Sequence, residues 1–176
     1  MTTLLGISGS LRKASTNTLL MRNAAAIFSA DTFIEGDINL PLYNGDLEAA
    51  EGVPASVQTL ADQIAAADAV IIATPEYNKA LSGSLKNALD WVSRTKGAPW
   101  SGKPVAIMSA AAGRAGGERS QYSLRHAMTA FRPDILQGPE ILLANSSNEF
   151  DENGKLTGEV YIKNLTALMD ALKARI

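Results

Sequence analysis

Short apolar runs alternate with longer amphipathic segments along all 176 residues of the chain. This alternation is typical of βαβ units, in which helices connect parallel strands, and differs from the pattern of β-hairpins. The apolar runs predict five strands, over residues 3–8, 32–36, 68–75, 103–109 and 134–143. The amphipathic segments predict helices over residues 17–29, 55–67, 83–94, 117–131 and 157–174. The expected fold is α/β, a doubly wound and mainly parallel five-stranded sheet in a three-layer sandwich.

Two segments stand out from this alternation. Between Ile38 and Pro54 the chain reads NLPLYNGDLEAAEGVP, where Pro and Asn-Gly interrupt any periodicity, so a long loop is predicted. Residues 69–73 are all apolar and are followed by Thr74, which indicates a strand buried on both faces. Doubly wound sheets bind ligands beyond the carboxyl ends of their strands. Candidate sites are therefore expected in the loops that follow the first, third and fourth strands.

Composition narrows the possible classes of protein. The length suits one domain over residues 1–176, and the formal charge is −2, with 16 Lys and Arg against 18 Asp and Glu. No basic run is present, so nucleic acid is not an expected partner. With no cysteine, disulfides, thiolate nucleophiles and Cys-ligated metals are excluded. No apolar run approaches the roughly 20 residues of a membrane span. MTTLLGISGS does not resemble a signal peptide, which predicts a cytoplasmic protein.

The loop after the first strand, SGSLRKASTNT, has the chemistry of an anion site. Residues 8–18 hold five hydroxyl side chains, Asn17 and the cations Arg12 and Lys13, immediately before a helix. Free backbone N–H groups at a helix N-terminus, together with such donors, favour a phosphate group. In the alternative interpretation one of Ser15, Thr16 and Asn17 caps the helix and Arg12 is a solvated surface charge. The density of donors favours the phosphate site.

The phosphate loops of the common nucleotide-binding motifs are absent from this position. The loop matches neither GxxxxGK[ST], expected for a nucleoside triphosphate with magnesium, nor the dinucleotide pattern GxGxxG. Residues 97–103 do match GxxxxGK, but Pro104 replaces the required Ser or Thr and the match precedes a strand. Pro99 also removes a backbone donor. We therefore expect no phosphate at residues 97–103.

The loops after the third and fourth strands suit a flat ring. The third strand is followed by Glu76, Tyr77 and Asn78, which offer a carboxylate, an aromatic ring and an amide at the edge of the sheet. The fourth is followed by SAAAGRAGG over residues 109–117, whose small residues allow a ligand to approach the backbone. We expect the two loops to form opposite walls of one crevice.

Four stretches carry a resemblance to a known family: GSLRKASTN (9–17), LPLYNGDLE (40–48), TPEYNKALSGSLKNALDW (74–91) and AGRAGG (112–117). In these stretches and their order the chain resembles the flavodoxin-like NAD(P)H-dependent FMN reductases, which include bacterial quinone and chromate reductases. The resemblance implies a flavodoxin-like sheet with strand order 2-1-3-4-5 and FMN as cofactor. One departure is Ala80-Leu81-Ser82, where relatives often carry Ser-Ile-Pro, so the shape of that loop is open.

The resemblance also implies which residues bind FMN. The residues expected around the phosphate are Ser10, Arg12, Ser15, Asn17 and Thr18. Those expected around the isoalloxazine ring are Pro75, Glu76, Tyr77, Asn78, Ser109, Gly113 and Arg114. It further implies a homodimer or homotetramer.

The predicted function follows from this cofactor. A chain with no Cys and one His has few side chains for nucleophilic or acid–base catalysis, whereas hydride chemistry is carried by FMN itself. We predict an oxidoreductase without catalytic side chains or metal. It takes hydride from NADPH or NADH and reduces a quinone-like or other small acceptor by a ping-pong mechanism. The alternatives are a non-enzymatic flavodoxin-type electron carrier and a flavin-less module. Electron carriers that dock on protein partners usually have a strong net charge of one sign, and −2 is small for such a protein.

Overall fold

The computed structural model describes residues 1–176. The strands are β1 (Thr3–Ser8), β2 (Thr32–Gly36), β3 (Ala69–Ala73), β4 (Pro104–Ala110), β5 (Asp134–Ile135) and β6 (Leu142–Leu143). The helices are α1 (Thr16–Phe28), α2 (Gly45–Glu51), α3 (Ala55–Ala66), α4 (Gly83–Val92), α5 (Glu118–Met128) and α6 (Glu159–Lys173). Short 3-10 helices cover Thr129–Phe131 and Ser146–Asn148.

The sheet is parallel, with strand order β2-β1-β3-β4-β5, and β6 also pairs with β4. In the register between β1 and its neighbours, Leu5 lies opposite Ile34 of β2 and Val70 of β3. The chain leaves β1 toward β2 on one side and later returns to β3 on the other. The predicted doubly wound fold and the strand order 2-1-3-4-5 are confirmed. The loops after β1 and β3 diverge at the switch point between these strands, where such sheets hold ligands.

Both faces of the sheet are covered by helices, as the apolar runs predict. On one face β1, β3 and β4 pack against α1 and α6 through side chains such as Ile71, Leu20 and Leu168. On the other face they pack against α3, α4 and α5 through side chains such as Ile72 and Leu60. Every residue of β3 is buried, which confirms the prediction for this strand. Burial on both faces makes the central strands a rigid base for the loops at their carboxyl ends.

The prediction of a long loop between Ile38 and Pro54 is wrong in one part, because α2 lies within it. The Asn44 side chain accepts a hydrogen bond from the backbone N–H of Asp46 at 2.9 Å and so caps this helix. None of the seven residues of α2 is buried. An exposed helix has no apolar stripe, and apolar periodicity therefore gives no signal for it.

The single strand predicted over residues 134–143 is also wrong, because β5 and β6 are two separate short segments beside β4. Between them Pro139 has no N–H to give to a ladder and follows Gly138. Leu136 and Ile141 remain buried, which explains the continuous apolar signal in the sequence. The helix predicted over 117–131 is α-helical from Glu118 to Met128 and continues as a 3-10 turn.

Residues 97–103, which match a phosphate-loop pattern, form a turn before β4, with positive φ angles at Gly97 and Gly102. The Lys103 ammonium donates hydrogen bonds to the carbonyl oxygens of Ala65, at 3.1 Å, and Ala67, at the carboxyl end of α3. Burial lowers the pKa of Lys103. The lysine therefore caps a helix at the edge of the sheet opposite the candidate site.

No helix is both long and apolar enough to cross a bilayer.

Candidate functional site

The loop from Ser8 to Ser15 joins β1 to α1 and presents unpaired donors. The Ser15 hydroxyl caps α1 by accepting a hydrogen bond from the Thr18 N–H at 3.4 Å. The backbone N–H groups of Lys13, Ala14 and Ser15 donate no hydrogen bond within the chain. Backbone N–H groups left free at the start of a helix attract anions, and the helix dipole adds to this attraction.

Side chains of the same loop border a cleft of about 310 Å³ beside the end of β2. Ser10, Arg12 and Thr18 line it, and Arg12 is exposed and paired with no carboxylate. Arg22 lines the cleft as well, but it holds both oxygens of Glu35, at 2.7 and 3.0 Å. This ion pair raises the pKa of Arg22, and the positive charge of Arg22 compensates the negative charge of Glu35. Arg12 is consequently free to meet an anion.

Asn17 lies in the first turn of α1, beside Thr18, but its side chain faces the interior, with 3% of its surface exposed. Its Nδ2 donates to the carbonyl oxygen of Ala110 at 2.9 Å, and its Oδ1 accepts from the Ala110 N–H at 2.9 Å. Ala110 is the last residue of β4. The side chain thus connects the loop after β1 to the start of the loop after β4.

The loop after β3 is a tight turn on a buried stem. Pro75 is buried, and Tyr77 and Ala80 exchange two backbone hydrogen bonds of 3.1 Å. Between them Asn78 and Lys79 have φ angles of 50° and 67°, as in the two-residue turns of hairpins. The Tyr77 side chain stands 46% exposed at this turn.

The segment that departs from the family pattern is ordered by capping. The Ser82 hydroxyl accepts a hydrogen bond from the Leu85 N–H at 3.2 Å and so caps α4. The same hydroxyl donates to the Gly9 carbonyl oxygen at 2.5 Å, and the Ser84 hydroxyl donates to it at 3.2 Å. Serine at position 82 therefore joins the loop after β3 to the loop after β1.

The loop after β4 has an open part and a packed part. Gly113 and Arg114 are exposed, and a Cβ at Gly113 would meet no atom within 4 Å. Ser109 is completely buried below the loop, where its hydroxyl donates to the Gly116 carbonyl at 2.6 Å and accepts from Gln121 Nε2 at 2.9 Å. Ser109 and Gln121 thereby hold the packed part in place.

Glu76 connects the loops after β3 and β4. Its Oε2 accepts a hydrogen bond from the backbone N–H of Arg119 at 3.2 Å, in the first turn of α5, and its Oε1 lies 3.7 Å from the Arg119 guanidinium. A carboxylate at a helix N-terminus is favourable. Together with the contacts from Ser82 to Gly9 and from Asn17 to Ala110, this contact joins the three loops pairwise into one frame.

All predicted site residues lie at the carboxyl edge of β1, β3 and β4, and their binding roles remain predictions. The structure adds residues to which the sequence analysis assigned no role in the site, namely Gly9, Ser82, Ser84, Arg119 and Gln121. A serine directly before an amphipathic run is a helix-start signal, so Ser82 could have been found. The other contacts join residues far apart in sequence and have no local signal.

Comparison with known proteins decides the family. A family model described as NADPH-dependent FMN reductase matches residues 2–148. The chain belongs to this family. It is 46% identical over 154 residues to an NAD(P)H-dependent FMN reductase of Pseudomonas aeruginosa, covering 86% of this chain and 83% of that protein. It is 38% identical over 167 residues to a quinone reductase of Escherichia coli K12, covering 93% and 89%.

A solved structure agrees with this assignment. The flavoenzyme FerB of Paracoccus denitrificans, an NAD(P)H:(acceptor) oxidoreductase, superposes with a TM-score of 0.87 at 34% identity. The superposition covers 98% of this chain and 95% of that chain. As an FMN reductase, the protein is an oxidoreductase with FMN as cofactor and NAD(P)H as electron donor.

The residues of this FMN reductase fit that cofactor. Free N–H groups at Lys13, Ala14 and Ser15, beside the unpaired Arg12, suit a phosphate dianion. The half-exposed Tyr77 and the open space above Gly113 leave room for a flat ring. No group of three or more His, Cys, Asp or Glu side chains in the structure could hold a metal ion.

Proposed function

We propose that this FMN reductase passes electrons from NADPH or NADH to a quinone-like or other small acceptor, such as a free flavin, an azo compound or a metal oxyanion. The observation that carries the proposal is that two exposed positions follow the neighbouring strands β3 and β4 at the same edge of the sheet: Tyr77, which is 46% exposed, and Gly113, where a Cβ would meet no atom within 4 Å. A ring held at this edge of the sheet would keep one face accessible. Small planar acceptors suit such a face because shape and stacking decide entry.

The proposed roles divide between the loops. Ser10, Arg12 and Thr18, with the free N–H groups near Ser15, bind the phosphate. Pro75, Glu76, Tyr77 and Asn78 on one side, and Gly113 and Arg114 on the other, border the ring. When bound, FMN supplies the two-electron chemistry that joins the nicotinamide to the acceptor. The chain binds and orients the cofactor and the substrates, and no side chain is proposed as an acid, a base or a nucleophile.

The proposal includes a ping-pong mechanism. One open face admits one planar molecule at a time, so the nicotinamide must leave before the acceptor enters. Initial rates measured while NADPH and a quinone are varied together should give parallel lines in double-reciprocal plots. Convergent lines would contradict shared occupancy and would indicate separate sites for the two substrates.

The decisive test of the function is anaerobic addition of NADPH to the FMN-loaded protein, followed by its absorption spectrum. We expect complete loss of the oxidised flavin absorbance, and its return when a quinone is added. If NADPH gives no reduction, NADH is added in the same way, and a protein that binds FMN but is reduced by neither nucleotide would instead be an electron carrier. A protein that binds no FMN would refute the proposal altogether.

We also propose that residues 1–176 act as one FMN-binding domain in the cytoplasm, where reduced nicotinamide nucleotides are produced, and assemble as a homodimer or homotetramer. This assembly is proposed from the family resemblance, which implies a homodimer or homotetramer. Light scattering of the purified protein measures the assembly directly, and a monomer at micromolar concentration would contradict it.

A further inference from the structure

Asn17 fills a gap in the sheet at the site. β3 ends at Ala73, and Thr74 makes the last contact with β4, donating its N–H to Met108 at 3.0 Å. Alternate residues of a strand direct their N–H and C=O groups to opposite neighbours. Ser109 and Ala111 both donate toward the β6 side, so Ala110 faces the side that β3 has already left. The backbone of Ala110 would therefore be unpaired within the sheet.

The amide of Asn17 takes the place of the missing strand. It donates to the C=O of Ala110 and accepts from its N–H, both at 2.9 Å, the ordinary length of such bonds. The side chain is 3% exposed and is absent from the lining of the cleft that Ser10, Arg12 and Thr18 share. Its position thus differs from that of the side chains expected to meet a phosphate.

We infer that Asn17 is a positioning residue that holds the loop after β4 in register with the loop after β1, and that it is not a phosphate ligand. The inference rests on the proposed function, in which these two loops bind the ring and the phosphate of FMN. Without the amide, Ala110 and the residues that follow it lose their anchor to α1. The chain would then occupy the binding arrangement for a smaller fraction of the time, and the apparent affinity falls by that fraction.

This role predicts a signature that separates Asn17 from a phosphate ligand. Riboflavin has the ring of FMN without the phosphate, so a loosened ring loop weakens both flavins equally, while a lost phosphate contact weakens FMN alone. Binding of both flavins to the flavin-free, full-length chain is measured for the wild type, Asn17→Ala and Arg12→Ala. We expect Asn17→Ala to raise both dissociation constants by the same factor, about 5- to 150-fold for two hydrogen bonds. Arg12→Ala should raise the constant for FMN only.

Two results in this comparison would overturn the inference. One is an Asn17→Ala variant that loses affinity for FMN and keeps that for riboflavin, as Arg12→Ala does. The other is a variant with both affinities unchanged. A wild-type chain that binds no FMN would overturn the proposed function instead.

Asn17→Asp provides a second test if the alanine variant does not fold. A protonated carboxyl group has an O–H and a C=O where the amide has its donor and acceptor, whereas a carboxylate cannot donate to the Ala110 C=O. Riboflavin affinity of this variant should therefore recover as the pH falls through the pKa of the new carboxyl group. Wild-type affinity over the same range is the control. A riboflavin affinity that follows the wild type at every pH would overturn the inference.

A third measurement needs no flavin. Amide hydrogen exchange of the flavin-free chain should become faster in residues 110–117 of Asn17→Ala than in the wild type. Asn23→Ala is the matched control, since the Asn23 amide of the same helix donates to the Gly154 carbonyl oxygen at 2.8 Å and accepts from the Leu156 N–H at 2.9 Å, and contacts neither β4 nor the loop after it. Unchanged exchange in residues 110–117 of Asn17→Ala would show that the amide does not hold this loop.

Discussion

Two glycines in the loop after β4 lie three positions apart and serve different purposes. Gly116 has a φ angle of +58°, and a Cβ there would lie 2.5 Å from the backbone carbonyl oxygen of Leu142. Gly113 is outside the left-handed region and its Cβ would meet no atom within 4 Å. The packing of the chain therefore requires glycine at 116, whereas nothing within the chain requires it at 113. The proposed flavin site offers a reason for glycine at 113, since the ring is expected beside this loop.

Alanine at these two positions should separate stability from binding. Gly116→Ala should lower the free energy of unfolding by about 2–4 kcal/mol, because backbone atoms must move and φ is strained. Gly113→Ala should change it by less than about 0.5 kcal/mol. It should instead weaken FMN binding by placing a methyl group in the open space. Urea unfolding and flavin titration of both variants measure the two effects, and equal destabilisation would contradict this division.

At the scale of elements, α2 is held by side chains and not by a core. Its Glu48 accepts a hydrogen bond from the Tyr43 hydroxyl at 3.0 Å and contacts the Arg94 guanidinium at 3.0 Å. The Tyr43 ring also meets Trp91 edge-on, with 5.0 Å between centroids. A helix of seven residues is unstable alone, so these contacts fix it.

The attachment of α2 should depend on pH at the alkaline end. The hydrogen bond to the Glu48 carboxylate is the largest cause that raises the pKa of Tyr43. A raised pKa of an acid means that the contact is fully present below the ordinary tyrosine pKa of about 10 and is lost as the pH rises through the raised value. In an absorbance titration of tyrosinate, Tyr43→Phe should therefore remove a component at the high-pH end. Tyr122→Phe, at an exposed position, is the control and should leave that component in place.

The elements with a buried face were predictable from sequence, and those fixed by distant contacts were not. An apolar run predicts β3 and apolar residues at helical spacing predict α4, because burial selects apolar residue types at a regular period. α2 buries nothing, and its partner Arg94 lies 46 positions beyond Glu48, so no local pattern marks it. Within the site, the Asn17 amide likewise has a partner far away in the sequence. It was predicted as a phosphate ligand, and its hydrogen bonds to Ala110, 93 positions away, have no local signal because they depend on where β3 stops.

At the scale of the whole molecule, the sheet has one apolar core on each face. The family model ends at residue 148, yet α6 lies beyond it and completes the core shared with α1. Leu165 and Leu168 of α6 are both buried there. Because the central strands belong to both cores, loss of packing on one face should also destabilise the core on the other face.

Leu165→Ala tests this coupling, because both tryptophans of the chain lie on the opposite face, Trp91 in α4 and Trp100 in the core to which α4 contributes. Loss of a fully buried leucine should lower the free energy of unfolding by about 2–5 kcal/mol. With a urea slope of about 2 kcal/mol/M, the midpoint falls by about 1–2.5 M. If the two cores unfold together, tryptophan fluorescence and far-UV circular dichroism give the same lowered midpoint. A fluorescence midpoint that stays at the wild-type value while the dichroism shifts would show independent layers. Val160→Ala, 70% exposed on the same helix, is the control, and its midpoint should stay near that of the wild type because the change removes no buried contact.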